Sequence, residues 1–299
     1  MKKKVLIIGS SNTDMVVQTR EFPKPGETVL GGTFMMNAGG KGANQAVAAA
    51  RLGADVRFVA KIGKDIFGQE ARNGFVKEGL DIQYLLETAD FASGVALITV
   101  NANGENEIVV ASGANMDLHP ADLPDAIFDA VEFVLIQLEI PLETITFIIE
   151  QARKRNIKVI LNPAPAVRLD QNLLQNIFLI TPNETETEIL TGIYPGDSEA
   201  VKSAAEHLHH VGIENVIITL GNAGAYFSNS ENAFFVPTPN VKALDTTAAG
   251  DVFNGALLTA LAMEKDWKTA CAFACKAASI SVTRAGAQSA APYEHELHD

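Results

Sequence analysis

The sequence predicts an α/β fold: a mainly parallel central sheet flanked by helices, with a small β-sheet lid, in one domain over 1–299. Three observations carry this. From about Asp122 onward, short apolar β-forming runs alternate with helix-patterned stretches, the order that buries parallel strands beneath helices. Earlier in the chain, Val95–Val100 and Glu107–Ala111 flank Asn103-Gly104 with no long helix between them, which signals an antiparallel hairpin. The 299 residues, 47% hydrophobic and 20% charged, supply enough apolar mass for such a sheet.

In chain order, Val5–Gly9 reads as a buried parallel strand. Met15–Gln18 and Thr28–Phe34 are strand candidates around the turn-forming Glu21-Phe22-Pro23-Lys24-Pro25-Gly26. Asn37-Ala38-Gly39-Gly40-Lys41-Gly42 opens an Ala-rich helix to about Leu52, Val56–Lys61 is a strand, and Ile66–Glu78 is an amphipathic helix. The lid strands fall within about 12–34 and 93–112, as a sheet of their own. Phe133–Gln137 (strand), Leu142–Arg155 (helix), Val159–Asn162 and Ile177–Thr181 (strands) follow. Then come helices Glu184–Leu190 and Glu199–Val211, strand Val216–Leu220, and an edge hairpin of Ala225–Ser228 with Ala233–Val236. Helices Asp251–Ala262 and Trp267–Thr283 complete the pattern.

Composition removes several function classes. A formal charge of -13 speaks against nucleic acid as a partner, because phosphate backbones need basic side chains. Cys271 and Cys275 lie four apart in a helical pattern, which suggests neither a disulfide framework nor a zinc site. No window is long enough to span a membrane. The apolar run after Met1-Lys2-Lys3-Lys4 is too short for a signal peptide. A soluble cytoplasmic protein is expected. His207, His209 and His210 never place more than two rings on one helix face and read as a solvated surface.

Chemistry concentrates at Leu244–Gly255. Small residues Ala248, Ala249 and Gly250 precede Asp251 at a helix start, where backbone N–H groups lack intrahelical partners and favour an anion. A carboxylate beside such a nest suggests a held phosphate with a base next to it, its pKa lowered by the helix terminus. Asn37–Asn44 lacks the Ser/Thr and the spacing of a P-loop, and Gly9-Ser10-Ser11-Asn12 lacks the spaced glycines of a dinucleotide fingerprint. The first of these stretches is either a tight turn or a cradle for a polar ligand. Asn12 and Asp14 leave the first strand two apart; they either cap a turn or face vicinal hydroxyls together. Asn183 and Glu186 share a helix face; they cap the helix or orient Mg²⁺ through water. Thr219-Leu220-Gly221-Asn222-Ala223-Gly224 is a turn or a nucleotide loop.

These stretches, with Gly39-Gly40-Lys41-Gly42-Ala43-Asn44-Gln45-Ala46, Asn162-Pro163-Ala164-Pro165 and Asp245-Thr246-Thr247-Ala248-Ala249-Gly250-Asp251, resemble the motifs of the ribokinase family of carbohydrate kinases, in that family's order. The resemblance implies ATP-dependent phosphorylation of a sugar hydroxymethyl group, D-ribose to ribose 5-phosphate. It implies that Asp251 is the base and that the amides of Ala248, Ala249, Gly250 and Asp251 form an anion hole. Asn12, Thr13, Asp14, Gly40, Lys41, Gly42, Ala43, Asn44 and Glu139 would surround the sugar. Asn183, Thr219, Leu220, Gly221, Asn222, Ala223 and Gly224 would line the nucleotide site, with Cys275 beside the adenine and Glu186 serving Mg²⁺ indirectly. Asp245, Thr247, Ser281, Arg284, Gly286 and Ala290 would ligate an activating monovalent cation, usually K⁺. At that last position the family often carries a hydroxyl residue, so Ser289, a carbonyl or water would fill the gap. A homodimer through the lid sheet is also implied.

Overall fold

The structure is a computed structural model describing residues 3–297. Met1 and Lys2 of the charged start, and the last two residues of the expected domain, lie outside the described residues. The first seven strands are β1 (Lys4–Ile8), β2 (Asn12–Gln18), β3 (Thr33–Gly39), β4 (Asp55–Gly63), β5 (Leu85–Thr88), β6 (Gly94–Val100) and β7 (Asn106–Ala111). The later ones are β8 (Val131–Ile136), β9 (Lys158–Leu161), β10 (Leu179–Ile180), β11 (Asn215–Thr219), β12 (Ala225–Ser228) and β13 (Ala233–Val236). The helices are α1 (Lys41–Arg51), α2 (Ile66–Lys77), α3 (Leu142–Lys154), α4 (Gln171–Leu174), α5 (Glu184–Thr191), α6 (Ser198–His210), α7 (Ala249–Ala262) and α8 (Trp267–Ser281).

A nine-stranded sheet runs β13-β12-β11-β10-β9-β8-β1-β4-β5. It is parallel from β11 to β5, and β12 and β13 form the antiparallel edge hairpin. Its strands are continuous apolar runs because both faces are covered. Alternate residues of β1 show this. Val5 and Ile7 join a core with residues of α1, α7 and α8, and Leu6 and Ile8 join one with residues of α3 and α6. Helix ends carry their expected chemistry: Asp65, Asp197 and Asp266 each accept a backbone N–H at the starts of α2, α6 and α8.

A second sheet has the order β3-β2-β6-β7. The hairpin β6–β7 is antiparallel, as expected from Asn103-Gly104, and β2 pairs with β6 in parallel. Boundaries differ from the expectation: β2 begins at Asn12 in place of Met15, and β10 covers only Leu179–Ile180 of the expected Ile177–Thr181. The third strand covers Thr33–Gly39 instead of Thr28–Phe34, because Asn12–Gln18 pairs residue by residue with it, Asn12 opposite Gly39 and Gln18 opposite Thr33. Asn37-Ala38-Gly39 therefore ends a strand, and the helix starts only at Lys41. β5, an edge strand beside β4, had no clear period and was not anticipated. Phe34, Met36, Leu97, Ile108 and Val109 of the small sheet are exposed. No helix among the described residues is long and apolar enough to cross a membrane.

Candidate active site

Polar residues cluster just past the carboxyl ends of the parallel strands, where open α/β sheets place their ligands. Ser10 follows β1, Gln137 and Glu139 follow β8, Asn162 follows β9, Thr181 follows β10, and Thr219 ends β11. Above this edge, Ala248 has φ 58 and ψ 12 at the start of α7. A non-glycine residue in the left-handed region stores strain. Here it turns the chain sharply enough to begin a helix with three small residues. Asp251 then points into the protein from the first turn and is only 6% exposed.

The Asp251 carboxylate is held from α1. Asn44 Nδ2 donates to Oδ2 at 2.9 Å and Gln45 Nε2 donates to Oδ1 at 2.9 Å. Burial pushes the Asp251 pKa up, against the opposing charge of Lys41 and the two amide bonds. This reverses the lowered pKa expected from the helix terminus: desolvation outweighs the local donors. Burial works against the Lys41 ammonium too, but Asp251, Glu139, Glu186 and Asp14 outweigh it and raise its pKa. Asp14 is raised to about 6, first by burial and then by the charges of Glu139 and Asp251. One lysine therefore faces four carboxylates.

A cavity of 170 Å³ is lined by Lys41, Asn162, Asn183, Glu186, Thr219 and the Thr246–Asp251 loop except Thr247. A second of 850 Å³ lies under the small sheet, with Asp14, Asn37, Thr246 and Gly286 in its wall. Thr246 belongs to both. Glu139 accepts from Ser10 Oγ at 2.5 Å and from Lys41 N at 3.1 Å, which ties this carboxylate to the N-terminus of α1. Gly40, at φ 88, brings its backbone so close to Ser11 and Asn12 that a Cβ would collide. Gly42 packs equally tightly on Gly9 and Ser10. The side-chain Oδ1 of Asn12 accepts from Asn115 Nδ2 at 2.7 Å.

Other expected site residues lie further out. Asn12 and Thr13 both line a pocket with Glu70, Ala71 and Phe75 and are absent from both cavities above, so only Asp14 of this segment reaches the larger one. Ala43 is fully buried in the core. Asn183 and Glu186 form a reciprocal capping box at α5: Asn183 Oδ1 accepts from Glu186 N, and the Glu186 carboxylate accepts from Asn183 N and Nδ2. Both readings of this pair survive, because both residues also line the smaller cavity. Leu220 to Gly224 form a tight turn closed by Leu220 N donating to Gly224 O, with Gly221, Asn222 and Ala223 exposed. Cys275 is buried, its thiol pushed up to about 11 by burial and its carbonyl accepting from Thr238 Oγ1 at 3.4 Å. It lines neither cavity. His209 is not a solvated ring, for it meets Ile213 O at 2.9 Å and Ser228 Oγ at 3.0 Å.

Two distant segments meet at Asp245. Its carboxylate accepts from Thr247 N and from Gly286 N, each at 2.9 Å. Ser281 Oγ turns back to Ala278 O, Arg284 pairs with Glu296, and Ala290 is buried. Ser289 Oγ donates to Ala285 O at 3.2 Å within its own turn. Arg51, at the far end of α1, donates to Gln288 O and Ala291 O, each at 2.7 Å, and pairs with Glu78.

Several residues that shape the site carried no site role in the sequence, and Thr181, a possible cap of α5 beside Asn183, leaves that role to Asn183. Gln45, Gln137, Asn162, Thr181 and Asn254 form a buried amide and hydroxyl network around Asp251. Their signal was a polar side chain in an otherwise apolar setting, such as Gln45 within an alanine run and Asn254 between Phe253 and Gly255.

A buried carboxylate thus stands at the small-residue start of α7, beside a polar cavity at the carboxyl edge of the sheet, and residues 2–294 match the model of the pfkB family carbohydrate kinases. The chain belongs to that family. It is 45% identical to the ribokinase of Haemophilus influenzae, covering 99% of this chain and 97% of that one. It is also 39% identical to the deoxyribokinase of Salmonella typhi, with 99% and 97% covered. The solved ribokinase of Arabidopsis thaliana, complexed with ribose and ATP, superposes with a TM-score of 0.94 at 30% identity, covering 100% of this chain and 98% of that one.

Proposed function

We propose that the chain transfers the γ-phosphate of ATP to the 5-hydroxyl of D-ribose, giving D-ribose 5-phosphate. The observation that carries this reading is the buried Asp251 carboxylate held by Asn44 beside the small-residue start of α7. Phosphoryl transfer needs positioning and charge stabilisation more than covalent chemistry. Asp251 takes the proton of the acceptor hydroxyl, and burial makes it a stronger base than an exposed aspartate. The amides of Ala248, Gly250 and Asp251 receive the charge that develops on the phosphoryl oxygens, and that of Ala249 joins them on releasing Thr246 O, to which it donates at 3.2 Å. Asn12, Asp14, Gly40, Lys41, Asn44 and Glu139 orient the sugar. Thr219 and the turn to Gly224 border the nucleotide, with Asn183 on its phosphate side and Cys275 behind the adenine. Thr13, Gly42 and Ala43 support these groups from behind.

The donor set fits Mg²⁺ held through water, since both Glu186 oxygens are already bonded to Asn183; Mg²⁺ supplies neutralisation of phosphate charge. A monovalent cation, K⁺, fits where Asp245 joins the 245–247 and 281–290 segments. Thr247, Ser281, Arg284, Gly286 and Ala290 would offer carbonyls there, and the occupied Ser289 hydroxyl is left out. The sheet β3-β2-β6-β7 serves as a lid over the sugar, all within one kinase domain. Its exposed apolar residues, Phe34 and Val109 among them, pair two lids in a homodimer; sedimentation as a monomer would overturn that assembly.

A coupled ADP-release assay over ribose, deoxyribose, fructose and adenosine, in K⁺ or Na⁺, tests the reading. Ribose in K⁺ is expected to turn over best. Faster turnover of deoxyribose would favour the second reading, which the deoxyribokinase relative motivates. No ADP release with any sugar would leave a binding protein.

The acid side of the pH profile carries a further expectation. Asp14 holds its proton up to about 6 in the fold, against 3.8 as the ordinary value. As an acceptor of sugar hydroxyls it works as the anion, so ribose KM should rise as pH falls below 6. The stability sign is opposite. The folded state binds the proton more tightly, so stability drops as pH rises from 3.8 through 6. Asp14→Asn should therefore raise Tm at pH 7 while weakening ribose binding. Equal KM at pH 5 and pH 8 in the parent protein would count against the Asp14 assignment.

A further inference from the structure

Gln45 is fully buried on α1, and an amide taken from water is costly unless every group is paired. Its carboxamide is engaged at both ends. Nε2 donates to Asp251 Oδ1 and to Asn162 Oδ1, each at 2.9 Å, and Oε1 accepts from Gln137 Nε2 at 2.6 Å. Only one orientation satisfies this set. Turning the amide over would aim its oxygen at a carboxylate and its NH₂ at another NH₂.

Asn44, the other donor to Asp251, is held less firmly. Its Oδ1 is buried with no hydrogen-bond partner, so its amide is free to change partners when a polyhydroxyl ligand arrives. Gln45 has no such freedom. We infer that Gln45 is a positioning residue for the reaction: it fixes the Asp251 carboxylate through Oδ1 so that the other oxygen faces the acceptor hydroxyl. Gln137 Nε2 supplies the donor that keeps Gln45 Oε1 turned away from the carboxylate, although its own Oε1 is buried without a partner. This inference rests on Asp251 being the base. The charged groups around that carboxylate are Lys41 from α1, Glu139 after β8, Asp14 from β2 and Glu186 from α5. Among the described residues, its side-chain hydrogen bonds come from Asn44 and Gln45.

Gln45→Met removes the donor at nearly constant volume. The expected result is a fall in kcat of about 10- to 100-fold at pH 7, the scale of a lost hydrogen bond to a charged group. Ribose and ATP KM should stay within about twofold, since ground-state binding is untouched. The acid limb of the kcat/KM profile should move up by about one pH unit, so that alkaline buffer recovers part of the activity. An unmoved limb with full kcat and only a lower Tm would make Gln45 a packing residue and overturn the inference. Should Gln45→Met not fold, Gln45→Glu keeps the shape and sets a second carboxyl against Asp251. Its acid limb should move further up, and an unmoved limb is again the overturning result. The double variant separates the two assignments. If Asp251→Asn alone lowers kcat by about 100-fold or more and Gln45→Met adds nothing to that fall, both stand. If Asp251→Asn stays active, the base assignment falls. If Gln45→Met lowers the residual rate of Asp251→Asn as much as it lowers the parent, the positioning role falls alone.

Discussion

Replacing Asp251 with asparagine should lower kcat by at least about 100-fold, the low end of general-base effects, with ribose affinity largely kept. The two side chains are isosteric, so the loss isolates the proton acceptor. The fold should tolerate the change for a specific reason. An asparagine at 251 can keep its oxygen toward Gln45 Nε2 and turn its NH₂ group toward Asn44, whose buried, unpartnered Oδ1 is ready to accept from it after an amide flip. Stability should rise at neutral pH. Burial raises the folded pKa of Asp251 above its unfolded value, so the ionised carboxylate costs stability above that pKa, and the cost is relieved only as pH falls. A variant more heat-stable than the parent and nearly inactive is the expected pair of readings. Near-normal turnover in steady-state assays would refute the assignment of the base.

Gly255→Val should damage the fold severely. Gly255 lies one turn along α7 from Asp251 and presses on α1. A Cβ there would stand 2.6 Å from Gln45 O, 2.8 Å from Ala48 Cβ and 3.0 Å from Ala49 N. Helix propensity alone would favour a larger residue by a few tenths of a kcal/mol to about 1 kcal/mol. Overpacking against rigid backbone reverses that sign and costs about 1–3 kcal/mol or more. The separation of α7 from α1 would also part Asp251 from both of its amide donors. Thermal melts should show a large fall in Tm, and the folded fraction should have reduced kcat. Gly74→Ala is the matched control: that glycine sits in α2 with open space at its Cβ, so its Tm should hold or rise. Equal behaviour of the two variants would remove the packing argument.

The alternating architecture was legible because a strand buried on both faces must be a continuous apolar run, as Val5–Ile8 is. The hairpin at Asn103-Gly104 was legible from its turn chemistry. The register of Thr33–Gly39 was not, because only its partner Asn12–Gln18 sets it, and glycines next to a helix start conceal a strand end. At the site, Asn44 and Asp251 do meet, through 207 residues of separation. Their electrostatics were misjudged, since a helix terminus is visible in a sequence and the depth of burial around it is not. The Gln45–Gln137–Asn162 network was hidden for the same reason: each amide is an isolated polar letter until the fold converges them.

The small sheet has one more consequence. Asn12 and Asp14 belong to β2, so residues proposed to read the acceptor sit on a different sheet from Asp251 and the start of α7. Part of the proposed acceptor recognition thus lies in a piece of chain apart from the proposed transfer machinery, while Lys41 and Asn44 of α1 would serve both. Substitutions in β2 away from Asp14, or in β3 or β6, are expected to retune which sugar is accepted with the smallest effect on Asp251, and directed evolution of acceptor range has a place to begin.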